Sequence, residues 1–167
     1  RDRLRSRGLG DVYKRQYVHI MTPYLILDYE MIMALTYAAK RGIDVAIIMP
    51  HIPDKIYAFA VAKTYYNELL DAGVKIYEYE PGFVHAKVFV SDDTKAVVGT
   101  INLDYRSLFH HFECGALLYE NSQIAAVEED FRNTLKKCIK IKAGDYQKQK
   151  LYMRVIGKVL RMFAPLM

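Results

Sequence analysis

The chain has 167 residues, a net charge of +5 and a pI near 9.1, with 14 tyrosines and no tryptophan. This length is one domain's worth. No apolar run approaches the roughly 18 residues of a membrane-spanning helix, and two cysteines without a C-x-x-C neighbour exclude a disulfide scaffold and fit a reducing compartment. The basicity is unevenly spread and does not by itself indicate a nucleic-acid binder. Arg1–Gln16 carries six basic and two acidic residues, which leaves 18 against 17 in the remainder. Within that remainder Tyr17–Leu135 is acidic, with nine Lys/Arg and sixteen Asp/Glu, whereas Lys136–Met167 is basic, with nine Lys/Arg and Asp145 as its one acid.

Arg1–Gln16 (RDRLRSRGLGDVYKRQ) has four arginines in its first seven residues and neither apolar period nor strand signal. It reads as translated sequencing adapter, with a natural basic arm as the alternative, and is set aside from the fold. Tyr17–Leu27 reads as a buried strand running into a loop at Thr22-Pro23. Glu30–Arg41 follows as a helix, with Asp28 as N-cap and Gly42 past its end. The continuous apolar run Asp44–Met49 fits a strand buried on both faces. After the loop Pro50–Lys55, Ile56–Ala72 is a helix and Val74–Tyr79 a strand. His85–Ser91 and Ala96–Thr100 alternate at strand spacing around Asp92-Asp93-Thr94-Lys95, so the pair predicts a β-hairpin. Glu113–Tyr119 is one more strand and Ser122–Lys137 one more helix. Strands alternating with helices predict an α/β sandwich around a mixed sheet. Lys148–Phe163 winds as an amphipathic helix, with Lys150, Arg154, Gly157, Lys158 and Arg161 on one face and Tyr152, Ile156, Val159, Leu160 and Phe163 on the other. Its apolar face would lie in an anionic membrane surface or pack on the body of the protein.

The chemistry-bearing residues concentrate in Val84–Asp104 (VHAKVFVSDDTKAVVGTINLD). Residues i and i+2 of a strand share a face, so His85 and Lys87 point the same way, and a closed hairpin returns Thr100 and Asn102 beside them. Imidazole, ammonium, hydroxyl and amide on one patch make an anion site with a reactive base in it; the alternative is a surface hairpin facing water. Asp92 has opposite parity to His85 and reads as a structural partner. His19 lies in an apolar strand and reads as core. His110 and His111 face apart and cannot chelate one metal together. His51, after a buried strand, is either a site-lip residue or an ordinary loop residue.

The array His85-x-Lys87-x-x-x-x-Asp92 resembles the signature of the phospholipase D superfamily. The flanking words TPYLILDYEM, MPHIPDK, PGFVHAKVFVSDD, VVGTINLDYRS and HFECG resemble more narrowly the C-terminal half of the bacterial cardiolipin synthases, from about Tyr17 to Met167. The resemblance implies one half of a two-lobed enzyme, its central mixed β-sheet flanked by helices on both faces. It implies an adapter-like segment 1–16, a catalytic domain 17–140 and a basic amphipathic helix 141–167. It also implies transfer of a phosphatidyl group between two phosphatidylglycerol molecules through a phosphohistidine, with two histidines from two arrays and no metal or cofactor. His85 would then be general acid/base, Lys87, Thr100 and Asn102 would bind the phosphoryl group, and Glu113 would hold the imidazole. Arg106 would meet a second phosphate or pair with Asp104. The implied partners are anionic phospholipids, the missing N-terminal half or a second copy of the chain, and the cytoplasmic side of a bacterial membrane, with no nucleic acid. A homodimeric nuclease or phosphodiesterase and a non-catalytic membrane-binding half remain as alternatives.

Overall fold

A computed structural model describes residues 16–166; apart from Gln16, the adapter-like segment lies outside the described residues. Gln16 accepts a hydrogen bond from the Asp44 amide (2.9 Å) at the start of the sheet. Strands β1 (Tyr17–Met21), β2 (Asp44–Pro50) and β3 (Lys75–Tyr79) run parallel. The helices α1 (Tyr29–Lys40) and α2 (Ile56–Asp71) cross over between them. The remaining strands pair antiparallel: β4 (Val88–Ser91), β5 (Lys95–Gly99), β6 (Gly115–Tyr119) and β7 (Cys138–Lys140). The seven-stranded mixed sheet has the order β6-β5-β4-β1-β2-β3-β7. This is the expected α/β architecture, with α1 and α2 on one face and α3 (Gln123–Leu135) on the other.

The reasons are local. DVAIIM forms an interior strand because Val45–Pro50 is buried throughout, and fully burying each large aliphatic side chain contributes about 1.5–3 kcal/mol. Asp28 caps α1 by accepting from the Met31 amide at 2.7 Å. The β4–β5 turn puts Asp92 (φ 55°) and Asp93 (φ 56°) in the left-handed region, which Asp tolerates better than most residues. Tyr17 locks this turn: its amide donates to Asp92 Oδ1 (2.7 Å) and its hydroxyl to Asp93 Oδ1 (2.6 Å). Asp92 is thereby bound at the far end of β4 from His85, about 23 Å along an extended chain. It pins the hairpin to β1 and does not touch the site.

Several elements differ from the sequence reading. β1 stops at Met21, and Leu25 forms only an isolated bridge with Leu103. β4 begins at Val88, which leaves His85 and Lys87 in the extended segment before it. The tail helix is the shorter α4, Leu151–Arg161. Gly157 is its buried residue, where an added Cβ would lie 2.5 Å from the Ala60 carbonyl oxygen on α2. Arg161 packs 3.9 Å over the Tyr65 ring and donates to the Thr64 carbonyl, and Arg154 sits over Tyr146 at 5.3 Å. The face carrying Gly157 and the two arginines therefore docks on the body, and the apolar face is the exposed one.

Candidate active site

The site forms where the segment before β4, the β5 end and the β6 start meet. Lys87 Nζ lies 2.9 Å from His85 Nε2 and donates to the His85 carbonyl oxygen at 2.8 Å. His85 is exposed, whereas Lys87 is buried to 9% of its surface. The Lys87 carbonyl in turn accepts from the Gly99 amide (3.2 Å), extending the β4–β5 pairing to the residue before Thr100. Thr100 donates its hydroxyl to Glu113 Oε2 in a short hydrogen bond, and its amide donates to the Cys114 carbonyl (2.9 Å).

Asn102 is placed by a second zipper. The Ile26 amide donates to the Leu103 carbonyl (2.7 Å), and the Leu103 amide donates to Thr22 Oγ1 (3.3 Å). A single π-helical turn follows at Arg106–His110, closed by the His111 amide on the Arg106 carbonyl (2.9 Å), with the Ser107 amide bonded to Asp104 Oδ1 (2.7 Å). That turn sets Ser107 Oγ 3.2 Å from Asn102 Nδ2 and leaves Asn102 Oδ1 buried with no partner. Because Ser107 Oγ accepts from Asn102 Nδ2, the single Ser107 hydroxyl proton remains for Glu113, and Asn102 keeps a second N–H for an anion.

Asn102, Ser107, Glu113, Arg106 and His111 share the wall of a cavity of about 470 Å³ with Tyr24 and Lys55. His85 and Lys87 are outside its lining, although the Lys87 charge feels Glu113 and Asp104. The hydroxyls of Thr100 and Ser107, with smaller help from His111 and Lys87, hold the Glu113 carboxyl below its ordinary value. Burial pushes the Lys87 ammonium below its ordinary value, partly offset by Glu113 and Asp104. A lysine depressed in the fold binds its proton more tightly when unfolded, so its charge costs stability until pH rises towards the ordinary value of 10.5. Lys87→Met is expected to raise the melting temperature at neutral pH by roughly 2–4 °C, about 1 kcal/mol. Thermal melts across pH should show that advantage shrinking as pH approaches 10; a variant melting below wild type at neutral pH would contradict it.

Glu113 sits differently from its expected role, and Arg106 and His51 each follow one of the two alternatives left open for them. Glu113 bonds Thr100, and no hydrogen bond joins it to His85 among the described residues. Arg106 is exposed into the cavity, and among the described residues no ion pair joins it to Asp104, whose carboxylate is taken by Ser107. His51 is bound through Nδ1 to the buried Glu78 at 2.8 Å, which also takes Tyr66 and Lys63, and it does not line the cavity. His19 is core, stacked 4.5 Å from Phe131 and bonded to Glu128. Ser107, Lys55, Tyr24, Tyr57 and His111 are among the cavity residues that the sequence reading did not assign to a site. The word TINLDYRS contained Ser107 but gave no sign of the π turn that aims it.

The fold has counterparts among solved structures. The solved structure of a phospholipase D family member, Nuc from Salmonella typhimurium, superposes with a TM-score of 0.65 at 18% identity over 81% of this chain and 90% of that one. The fold is therefore of the phospholipase D class. Residues 14–135 match the family described as cardiolipin synthase, PLD-like domain, and the chain belongs to that family. The match begins inside the segment set aside as adapter-like. An uncharacterized protein of Streptococcus mutans is 59% identical over 153 residues, 92% of this chain and 33% of its own length. Cardiolipin synthase 2 of Bacillus cereus is 41% identical over 153 residues, 92% of this chain and 30% of its own. The chain spans about a third of the length of these relatives.

Proposed function

We propose that this chain is one catalytic half of a phosphatidyltransferase that makes cardiolipin and glycerol from two phosphatidylglycerol molecules. The observation that supports the reading is the His85–Lys87 pair beside the end of β5, where Thr100 bonds Glu113 and the Lys87 charge feels that carboxylate. In the first step an imidazole nitrogen of the other half attacks phosphorus, and the P–O bond to the terminal glycerol breaks. His85 gives its proton to the departing alkoxide. In the second, His85 takes the proton of the terminal hydroxyl of another phosphatidylglycerol, whose oxygen attacks phosphorus and frees the histidine. Lys87 and the Asn102 amide meet the charge on the non-bridging oxygens, and Arg106 reaches the phosphate of the second lipid. Glu113 positions Thr100 against the phosphoryl group. No metal or cofactor has a part in these steps.

The second half is an N-terminal lobe bearing another His-x-Lys array, or a second copy of the chain. Exposed Phe112, next to Glu113 in the chain, supports such a cover. The acidic balance of Tyr17–Leu135 argues against nucleic acid as substrate. Among the described residues no helix is long and apolar enough to cross a membrane, so any attachment made by residues 16–166 to the cytoplasmic face of a bacterial membrane would be interfacial. The test is incubation of the protein with its second half in place, as the two-lobed protein or as a dimer of this chain, with phosphatidylglycerol vesicles, with and without a chelator, and mass spectrometry of the products. Cardiolipin and glycerol in equal amounts, unaffected by chelation, are expected. Phosphatidic acid as the sole lipid product, or cleavage of single-stranded DNA in place of lipid, would overturn the reading.

A further inference from the structure

Beside the catalytic cavity runs a second hollow of about 500 Å³ between the start of α2 and α4. Its walls are Ile56, Tyr57, Ala60, Met153 and Ile156, and Asp54 and Lys55 supply the polar part of its lining. Lys55 and Tyr57 line both hollows, so the two adjoin. Chemistry changes across those shared residues, from amide, hydroxyl, carboxylate and guanidinium on one side to aliphatic and thioether surface on the other.

The way α4 is docked exposes more surface of the same kind. With Gly157, Arg154 and Arg161 turned to the body, Ile156 (44% exposed), Val155, Val159, Met162 and Phe163 face outward. A helix that spends its arginines on internal contacts and presents its apolar stripe outward has surface to cover. Charge points to the occupant: exposed Lys150 and Lys158 flank the stripe, and from Lys136 onward nine basic residues face one acid. An anionic lipid surface fits both the apolar stripe and its basic surround.

We propose that the α2–α4 trough holds an acyl chain of the lipid substrate, continuous at one end with the catalytic cavity and at the other with an α4 face seated in the bilayer. The proposal rests on the cavity being the phosphatidyl site. The phosphate of the second lipid lies by Arg106, its ester region passes Lys55 and Tyr57, and the chain follows Ala60, Met153 and Ile156. A lipid could then reach the site without leaving the membrane.

The experiment compares binding of dibutyryl- and dioctanoyl-phosphatidylglycerol, both monomeric in solution, to the whole protein by calorimetry. It also maps cross-links from a diazirine-bearing acyl chain in phosphatidylglycerol vesicles. The longer chain is expected to bind at least about tenfold more tightly. Ile156→Asp should cut that gain to about twofold or less and Ile156→Leu should keep it, with dibutyryl binding unchanged in both. Cross-links should fall on Ile56–Ala60 and Met153–Ile156. Equal affinity for the two chain lengths, or cross-links confined elsewhere, would overturn the trough. Cross-links in the trough with no dibutyryl binding would support the trough and overturn the cavity assignment instead. Lipid-free self-association abolished by Ile156→Asp would assign the face to a second copy and overturn the proposal.

Discussion

Replacing His85 with alanine is expected to abolish phosphatidyl transfer, a loss of about 10³-fold or more. The leaving glycerol is an alkoxide of high basicity, and without a positioned proton donor its P–O bond has no low-energy route to break. Stability should hardly change: His85 is exposed, its side chain is contacted by Lys87 and by the tilted Phe83 ring 5.6 Å away, and such surface changes usually stay within about 0.5 kcal/mol. Unchanged melting with lost turnover separates chemistry from folding. A donor whose leaving group needs no proton should still phosphorylate the other histidine at a measurable rate in His85→Ala. Absence of any trapped phosphohistidine with that donor would make His85 the nucleophile.

The frame of the fold was readable because its signals are local and repeated. Asp28 before an apolar period and Gly42 after it bound α1, and an apolar run as short and as rich in β-branched residues as Val45–Met49 fits a strand covered on both sides. The grouping of His85 with Lys87 was readable as well, because residues two apart in an extended chain share a face. What stayed hidden depends on tertiary pairing. β7 is three residues long, too short to show alternation, and it exists because β3 offers an open edge. The π turn at Arg106–His110 has no composition cue, yet it places Ser107 on Asn102 and directs Arg106 to the cavity. The partner of Glu113 depends on how β6 returns beside Thr100. For α4, periodicity marked two faces, but Leu160 of the apolar face packs on the core while Lys158 of the basic face is exposed, and the pattern could not say which side turns inward. A glycine that lets helix backbones touch, and two arginines stacked on tyrosine rings, outweighed the apolar stripe.

Gly99→Ala is expected to damage stability and activity together, for a reason the β5–β6 pairing makes plain. Gly99 lies opposite Gly115, and a Cβ at Gly99 would stand 2.6 Å from the Gly115 Cα and closer still to the Cys114 carbonyl oxygen. Both obstacles are backbone, so no side chain can swing away; β6 itself must retreat. That movement stretches the Thr100 amide to Cys114 carbonyl bond (2.9 Å) and the Cys114 amide to Thr100 hydroxyl bond (3.0 Å), and with them the seat of Glu113. Overpacking of this kind costs about 1–3 kcal/mol, and a displacement near 1 Å of groups that hold the phosphoryl oxygens costs about 10²-fold in rate. Gly115 provides the control within the same pair. A Cβ there meets Ile101 at 3.5 Å, Val97 at 3.6 Å and the Val98 carbonyl at 3.8 Å, all ordinary contacts. Gly115→Ala should therefore stay within about 0.5 kcal/mol of wild type and keep its activity. Denaturant unfolding and transfer rates measured on both variants decide it. Equal tolerance of alanine at the two positions would show that β6 does not hold the site in place.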